Sequence, residues 1–411
     1  MLTTLLTILL AASPADSSAD VIIERVTTVV PFPRGIAAVD GKMYVLARGR
    51  VRDSGGVSAA INDRAGTIFL IDSEIGQPVG ETEVSDTVRN NGEVFAAPTE
   101  PPFRLWRRES DPPESDRETD RPYCTLRFHE PTQSFYICGF SGLDLAGGEG
   151  KPSFSKNCSD TILRFDLRTQ RWHEVERHHL HAGGNYPHHD PKHAPPPHGW
   201  LNGPDNIFPV GNHLYAAAKD NSLLVRYDIA PLFENLGAGH PHGEVVFDHR
   251  IYVDGLGVQE YFGHSALAER DGWLYVGYRT SSVIVRLRLN DDGTPAQPII
   301  VQLVAKFDPY DPVTRQSANL TDMCFDSKGR LYVISANGGS VHRFTPDPRN
   351  VYDGRSGTAE PWLHLGQRTG NPKMKCENVF VDDQDRLFIT SGDGYGYQAG
   401  ADGTVYRVTG L

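Results

Sequence analysis

The sequence predicts an all-β protein, a six-bladed β-propeller of four-stranded antiparallel blades whose N-terminal strand closes the last blade. Three observations carry this expectation. A unit of apolar strand, polar turn and apolar–aromatic strand recurs along the chain, and a third strand of related form follows most copies. The 411 residues include 41 Gly and 29 Pro, a turn-rich composition, and no long run of helical periodicity interrupts them.

Residues 1–19 read as a secretory signal peptide: an apolar run from Leu2 to Ala12 is followed by small residues. The run is too short to span a bilayer, no other segment is a transmembrane candidate, and a secreted or periplasmic location follows. Residues 20–411 are expected to form a single propeller domain with long loop insertions at about 90–122 and 177–202. The strand Val21–Val30 is assigned to the outer edge of the last blade, a closure that ties the two ends of the ring together and removes exposed edges.

The repeats follow in order. Five align directly: Pro33 to Gly49, Gly203 to Asp220, Gly263 to Thr280, Leu320 to Asn337 and Cys376 to Asp393. A sixth, Cys124 to Gly142, fits more loosely and supplies the second blade. Third strands are read at Gly66–Asp72, Asp160–Leu167, Ser222–Ile229, Ser282–Leu289, Gly339–Pro346 and Gly403–Val408, and fourth strands at Arg171–Glu176, Gly243–His249 and Ile299–Phe307. The first insertion is rich in Pro and charge. The second carries seven histidines between His178 and Trp200, where prolines forbid a helix; it reads as a surface loop over the channel, with Zn²⁺ or Cu²⁺ binding as the rival reading. Five cysteines lack any CxxC pair, which excludes zinc-ribbon and c-type haem sites; in an exported chain one or two disulfides are plausible, Cys124 with Cys138 or Cys158 among them.

The formal charge is −12, from 40 Lys plus Arg against 52 Asp plus Glu. A nucleic-acid partner is therefore not expected, because no cationic excess exists to displace counterions from phosphate. The expected partner is a small-molecule or carbohydrate ligand in the central channel.

Aligning the inner strands puts Gly35, Thr125, Asn206, Ser265, Asp322 and Asn378 in one column, preceded by Arg34, Asp205, His264, Thr321 and Glu377. In a propeller these positions point toward one axis. Asn206, Asp322 and Asn378 would then converge, and amide carbonyls with one carboxylate suit a hard divalent cation: Ca²⁺ first, with Zn²⁺ or Mn²⁺ as other candidates. Alternatively these residues only cap strands and bind turn backbone. Beside them, Asp205, Glu377 and His264 are candidate general bases. Arg34 could orient an anionic substrate or form an ion pair with Glu377 or Asp205.

These strands resemble the gluconolactonase, regucalcin and luciferin-regenerating-enzyme-like family of six-bladed propellers. The motifs that carry the resemblance are Gly-Pro-Asp-Asn206, Thr-Asp322 and Glu-Asn378, which match the ligand turns of that family. It implies a metal-dependent hydrolase in which the ion polarises a lactone or ester carbonyl. The first blade departs from the pattern, with Pro33-Arg34-Gly35 where an acidic ligand is expected, and the fourth has His264-Ser265. Two other readings stand beside the hydrolase. One is a non-catalytic binding or scaffold propeller. The other is a polysaccharide lyase acting on acidic glycans through His264, Tyr261, Tyr278 and Arg279.

Overall fold

Neither face of a repeat is polar, so a single meander cannot be stable in water and must be covered on both sides. The inner-edge hairpins show why: in Leu214–Ala218 and Leu331–Ser335 every residue is buried. The computed structural model describes residues 21–47, 66–98, 123–139, 160–178, 203–219, 222–229, 243–311, 314–347, 361–372, 374–392 and 403–411. These residues form six antiparallel sheets arranged as the blades of a ring.

In chain order the innermost strands of blades 1 to 6 are Pro33–Val39, Tyr123–His129, Pro204–Val210, His264–Arg270, Leu320–Phe325 and Lys375–Val381. Each packs against the inner strand of the next blade, and the last packs against the first. There is no single core. Six separate apolar clusters fill the six joints between neighbouring blades. Strand alternation divides the side chains between them. Leu214 faces the joint of blades 2 and 3 while Tyr215, the next residue, faces that of blades 3 and 4.

The ring closes as the sequence predicts. The strand Ile22–Thr27 lies antiparallel to Thr404–Thr409 of blade 6, with Ile23 opposite Val408 and Arg25 opposite Tyr406. Arg407 donates from both Nε and Nη2 to Glu24 Oε2, at 3.0 and 2.6 Å, across this seam. Two blades exceed the expected four strands. Blade 6 gains a short fifth strand, Gln77–Pro78, beside the closing strand, and blade 4 gains the hairpin Arg250–Val253/Gly257–Glu260 outside Val301–Lys306. The first insertion begins later than the sequence suggests, since Glu93–Ala96 is the fourth strand of blade 1. Residues 99–122, the histidine-rich 179–202 and the leader 1–20 lie outside the described residues. Among the described residues no helix is long and apolar enough to cross a membrane.

The expected pair of Cys124 with Cys138 is not formed, and Cys138 and Cys324 are free thiols; Cys158, the other partner considered, lies outside the described residues. A register shift between Tyr123 and Thr125 leaves Thr125, not Cys124, directly opposite Cys138.

The closing seam is testable within one strand. Ile23, buried against Val408, should cost about 2–4 kcal/mol when cut to Ala, whereas Ile22, which is 57% exposed on the same strand, should cost under about 0.5 kcal/mol. Chemical denaturation of the two variants compares them directly.

Candidate functional site

All six inner strands carry a β-bulge at the same step. The register slips between Pro33 and Ile36, Tyr123 and Thr125, Pro204 and Asn206, His264 and Ala266, Leu320 and Asp322, and Cys376 and Asn378. A bulge re-aims side chains, so consecutive residues can both turn toward the axis. The bulge layer holds Arg34, Cys124, Asp205, Ser265, Thr321 and Glu377. The next layer holds Gly35, Thr125, Asn206, Ala266, Asp322 and Asn378.

This register matches the sequence columns in five blades and corrects the fourth. Ser265, not His264, is the equivalent of Asp205 and Glu377, and Ala266 takes the place of Asn206. A one-residue offset reverses the face. His264 accordingly points away from the axis and packs in the joint of blades 3 and 4, its ring 4.4 Å from that of Tyr278 and 5.7 Å from that of Phe247.

Hydroxyls in these layers, and Thr390 opposite Asn378, join the blades. Thr125 Oγ1 donates to Asp205 O at 3.0 Å, Ser265 Oγ to Leu320 O at 2.6 Å, Thr321 Oγ1 to Cys376 O at 3.4 Å, and Thr390 Oγ1 to Arg34 O at 2.9 Å. At the joint of blades 1 and 2 the backbones themselves meet. A Cβ on Gly35 would lie 2.0 Å from Leu126 N, so only glycine fits where blades 2, 3, 5 and 6 present a polar side chain.

The structure brings the three expected oxygen donors together. Asp322 Oδ1 accepts from Asn206 Nδ2 at 2.8 Å, and its Oδ2 accepts from Asn378 Nδ2 at 3.1 Å and Val379 N at 3.2 Å. What the column does not contain is Arg127. Its Nη2 lies 2.7 Å from Asp322 Oδ1 and 3.3 Å from Asn206 Oδ1, reaching from blade 2 across to blade 5. Its guanidinium lies over Phe208, 5.6 Å from the ring centre. Asp322 is fully buried, and Arg127 nearly so. The signal for Arg127 was in the sequence: a lone arginine in Leu126-Arg127-Phe128, where the equivalent positions are Ala37, Phe208, Ala268, Cys324 and Phe380.

The donor set as arranged does not fit a metal ion. Both Asp322 oxygens are engaged by hydrogen-bond donors, the two amides turn their NH₂ groups toward the carboxylate, and a guanidinium fills the space between. Among the described residues no three His, Cys, Asp or Glu side chains are grouped to hold one. One atom points the other way: Asn378 Oδ1 is buried without a hydrogen-bond donor.

One layer nearer the start of the inner strands, four charged side chains from four blades gather at the channel mouth. Arg34 Nη1 lies 2.8 Å from Glu377 Oε2, an ion pair whose angle falls outside hydrogen-bond geometry, and Arg279 Nη1 lies 3.3 Å from Asp205 Oδ2. Burial pushes the Asp205 carboxyl up, but the charges of Lys219, Arg279 and Arg34 outweigh it and hold the group below the usual carboxylate range. Of the residues proposed for glycan lyase chemistry, Tyr261, Tyr278 and His264 do pack together with tilted rings, 5.3 Å between those of the tyrosines, but Tyr278 and His264 are buried in the blade joint, while Arg279 is at the mouth.

No family model matches the chain, and no curated protein matches it. Similar solved structures include the PQQ-bound aldose sugar dehydrogenase of Streptomyces coelicolor, 14% identical over 95% of this chain and 98% of that one, with a TM-score of 0.46. A streptogramin B lyase is 11% identical over 95% and 97% of the two chains, TM-score 0.41, and a luciferin-regenerating enzyme is 9% identical over 95% and 96%, TM-score 0.36. The six-bladed ring bears out the fold that the sequence resemblance implies.

Burial, reinforced by the nearby His249, lowers the His264 pKa from 6.5 to about 3. Because the folded value is depressed, the unfolded chain binds the extra proton first. The contribution of neutral His264 is complete above about pH 6.5 and is lost as pH falls toward about 3. A His264→Phe variant should therefore show a flatter fall of Tm between pH 6.5 and pH 4 than the unsubstituted protein in parallel thermal scans.

Proposed function

We propose that this protein is a ligand-binding propeller that takes a small carboxylate-bearing molecule, of the sugar-acid class, at the channel mouth. The observation that carries this reading is the gathering of Arg34, Asp205, Arg279 and Glu377, from blades 1, 3, 4 and 6, at the channel mouth, the first, second and fourth buried and Arg279 partly buried. Arginine is suited to planar two-point recognition of a carboxylate, and the two acids are placed to accept from ligand hydroxyls. Asp205, held ionised by its cations, is better suited to orienting a ligand than to abstracting a proton, since an effective base at neutral pH has a pKa near 7. His264, buried between blades, is not placed to act as a base in the channel.

A second reading, the metal-dependent hydrolysis of a lactone or ester, has one specific support in the unpartnered Asn378 Oδ1. It requires Arg127 to withdraw from Asp322. Secretion, suggested by residues 1–19, suits either reading.

Calorimetric titration with gluconate, glucuronate, galacturonate and their neutral sugars and lactones tests the choice. Saturable binding of at least one sugar acid is expected, weakened about tenfold or more by Arg279→Met, which removes one charge-assisted contact. Failure of every acid on the panel to bind would sink the carboxylate reading. Lactone hydrolysis that appears with added Ca²⁺ or Mn²⁺ and stops with a chelator would establish the second.

A further inference from the structure

We infer that Arg127 is the resident cation of the channel: its guanidinium takes the position a divalent ion would take among Asn206, Asp322 and Asn378, and the channel becomes a metal site only when that side chain is removed. This goes beyond the carboxylate reading and concerns the layer beneath the mouth, so the two are tested by different measurements.

A buried carboxylate must be compensated, because an ion taken out of water without a partner is strongly destabilising. Asp322 is fully buried, and Arg127 Nη2, at 2.7 Å, supplies the compensating charge. The same nitrogen reaches Asn206 Oδ1 at 3.3 Å, so it bridges a carboxylate oxygen and an amide oxygen as a bound cation does. Asn206 and Asn378 complete the arrangement by donating to Asp322 rather than offering it their carbonyl oxygens. A divalent ion seated here would lie within a few ångströms of the guanidinium, where repulsion between the two cations opposes binding.

Removing the guanidinium reverses each of these conditions. Asp322 loses its countercharge, Asn206 Oδ1 loses its donor, and Asn378 Oδ1 already has none. Three oxygen-bearing side chains from blades 3, 5 and 6 would then border the vacated space, a donor set of carboxylate and amide oxygens of the kind hard cations prefer. The guanidinium can be removed without taking away a packed aliphatic core residue, since its Nε has no hydrogen-bond partner and its face rests on Phe208.

The test compares the full chain with Arg127→Ala, following Tm with Ca²⁺, Mn²⁺ or EDTA, and Tb³⁺ luminescence sensitised by nearby aromatic residues. The unsubstituted protein should show no Tm response to EDTA or to either ion and no saturable Tb³⁺ signal. Arg127→Ala should lose about 5 °C or more in Tm, regain part of it on adding Ca²⁺ or Mn²⁺, and bind Tb³⁺ saturably. Adding Asp322→Asn to Arg127→Ala should abolish the ion response and recover some of the lost stability, because no buried charge remains to be compensated. If Arg127→Ala does not fold, Arg127→Met/Asp322→Asn replaces it: this neutral pair should fold and ignore all three ions. A Ca²⁺-dependent Tm rise in the unsubstituted protein that Asp322→Asn removes would overturn the inference. So would a folded Arg127→Ala variant that binds no ion, or a neutral pair that fails to fold when Asp322→Asn alone does.

Discussion

Everything near the axis depends on the bulge repeated in all six inner strands. A regular strand would send Asp205 and Asn206 to opposite faces, one toward the axis and one into a blade joint. With the extra residue inserted, both make contacts across the channel, Asp205 with Arg279 and Asn206 with Asp322. The same irregularity frees backbone carbonyls at Asp205, Leu320, Cys376 and Arg34, and hydroxyls of the neighbouring blades bind them. The position that gathers the polar residues of the channel is thus the one at which blade is fastened to blade. Substitutions there act on ring geometry and ligand geometry together.

The two charged layers have different characters. The lower one is closed: a carboxylate without exposure, one guanidinium and two amides satisfy each other with few atoms left over. The upper one gathers charges of both signs: Arg34 lies against Glu377 and Arg279 against Asp205, and the charges of Lys219 and Arg34 also act on Asp205. A closed network specifies one arrangement and gives the channel a rigid floor, whereas a layer that carries both arginines and carboxylates has the groups a charged ligand would meet. The ligand proposed above would therefore meet the upper layer, and the lower layer would set the shape beneath it.

The fold was legible because propeller grammar is local. The alternating strands, the turns and the aromatic third position of hairpins such as Leu214-Tyr215 and Leu331-Tyr332 can be read without knowing what lies opposite. The gathering of Asn206, Asp322 and Asn378 was legible for the same reason, as a column of equivalent positions. Two things were not. In blade 4 the small Ala266 reads as the start of the apolar run, which moved the column by one residue and placed His264 on the axis. Arg127 stands two residues beyond the column, and its partner is in the opposite blade, a relation that repeat alignment does not express. The hairpin at 250–260 escaped because its strands are four residues each and half exposed, so they bury too little to leave an apolar signature.

The seam between Ile22–Thr27 and Thr404–Thr409 has a consequence for the order of events during folding. Five of the six blade joints connect segments that are neighbours along the chain and can be made as the chain lengthens. The sixth joins residues as far apart as Glu24 and Arg407, 383 positions, and closing a loop of that size costs on the order of 5 kcal/mol in chain entropy. Until residues 404–409 arrive, blade 1 has no neighbour on one side, and Val26, Val30, Ile36 and Val45 are uncovered. The nascent protein therefore passes through an open, C-shaped state with two sticky ends. Its main hazard is that the ends of two different chains meet before those of one do.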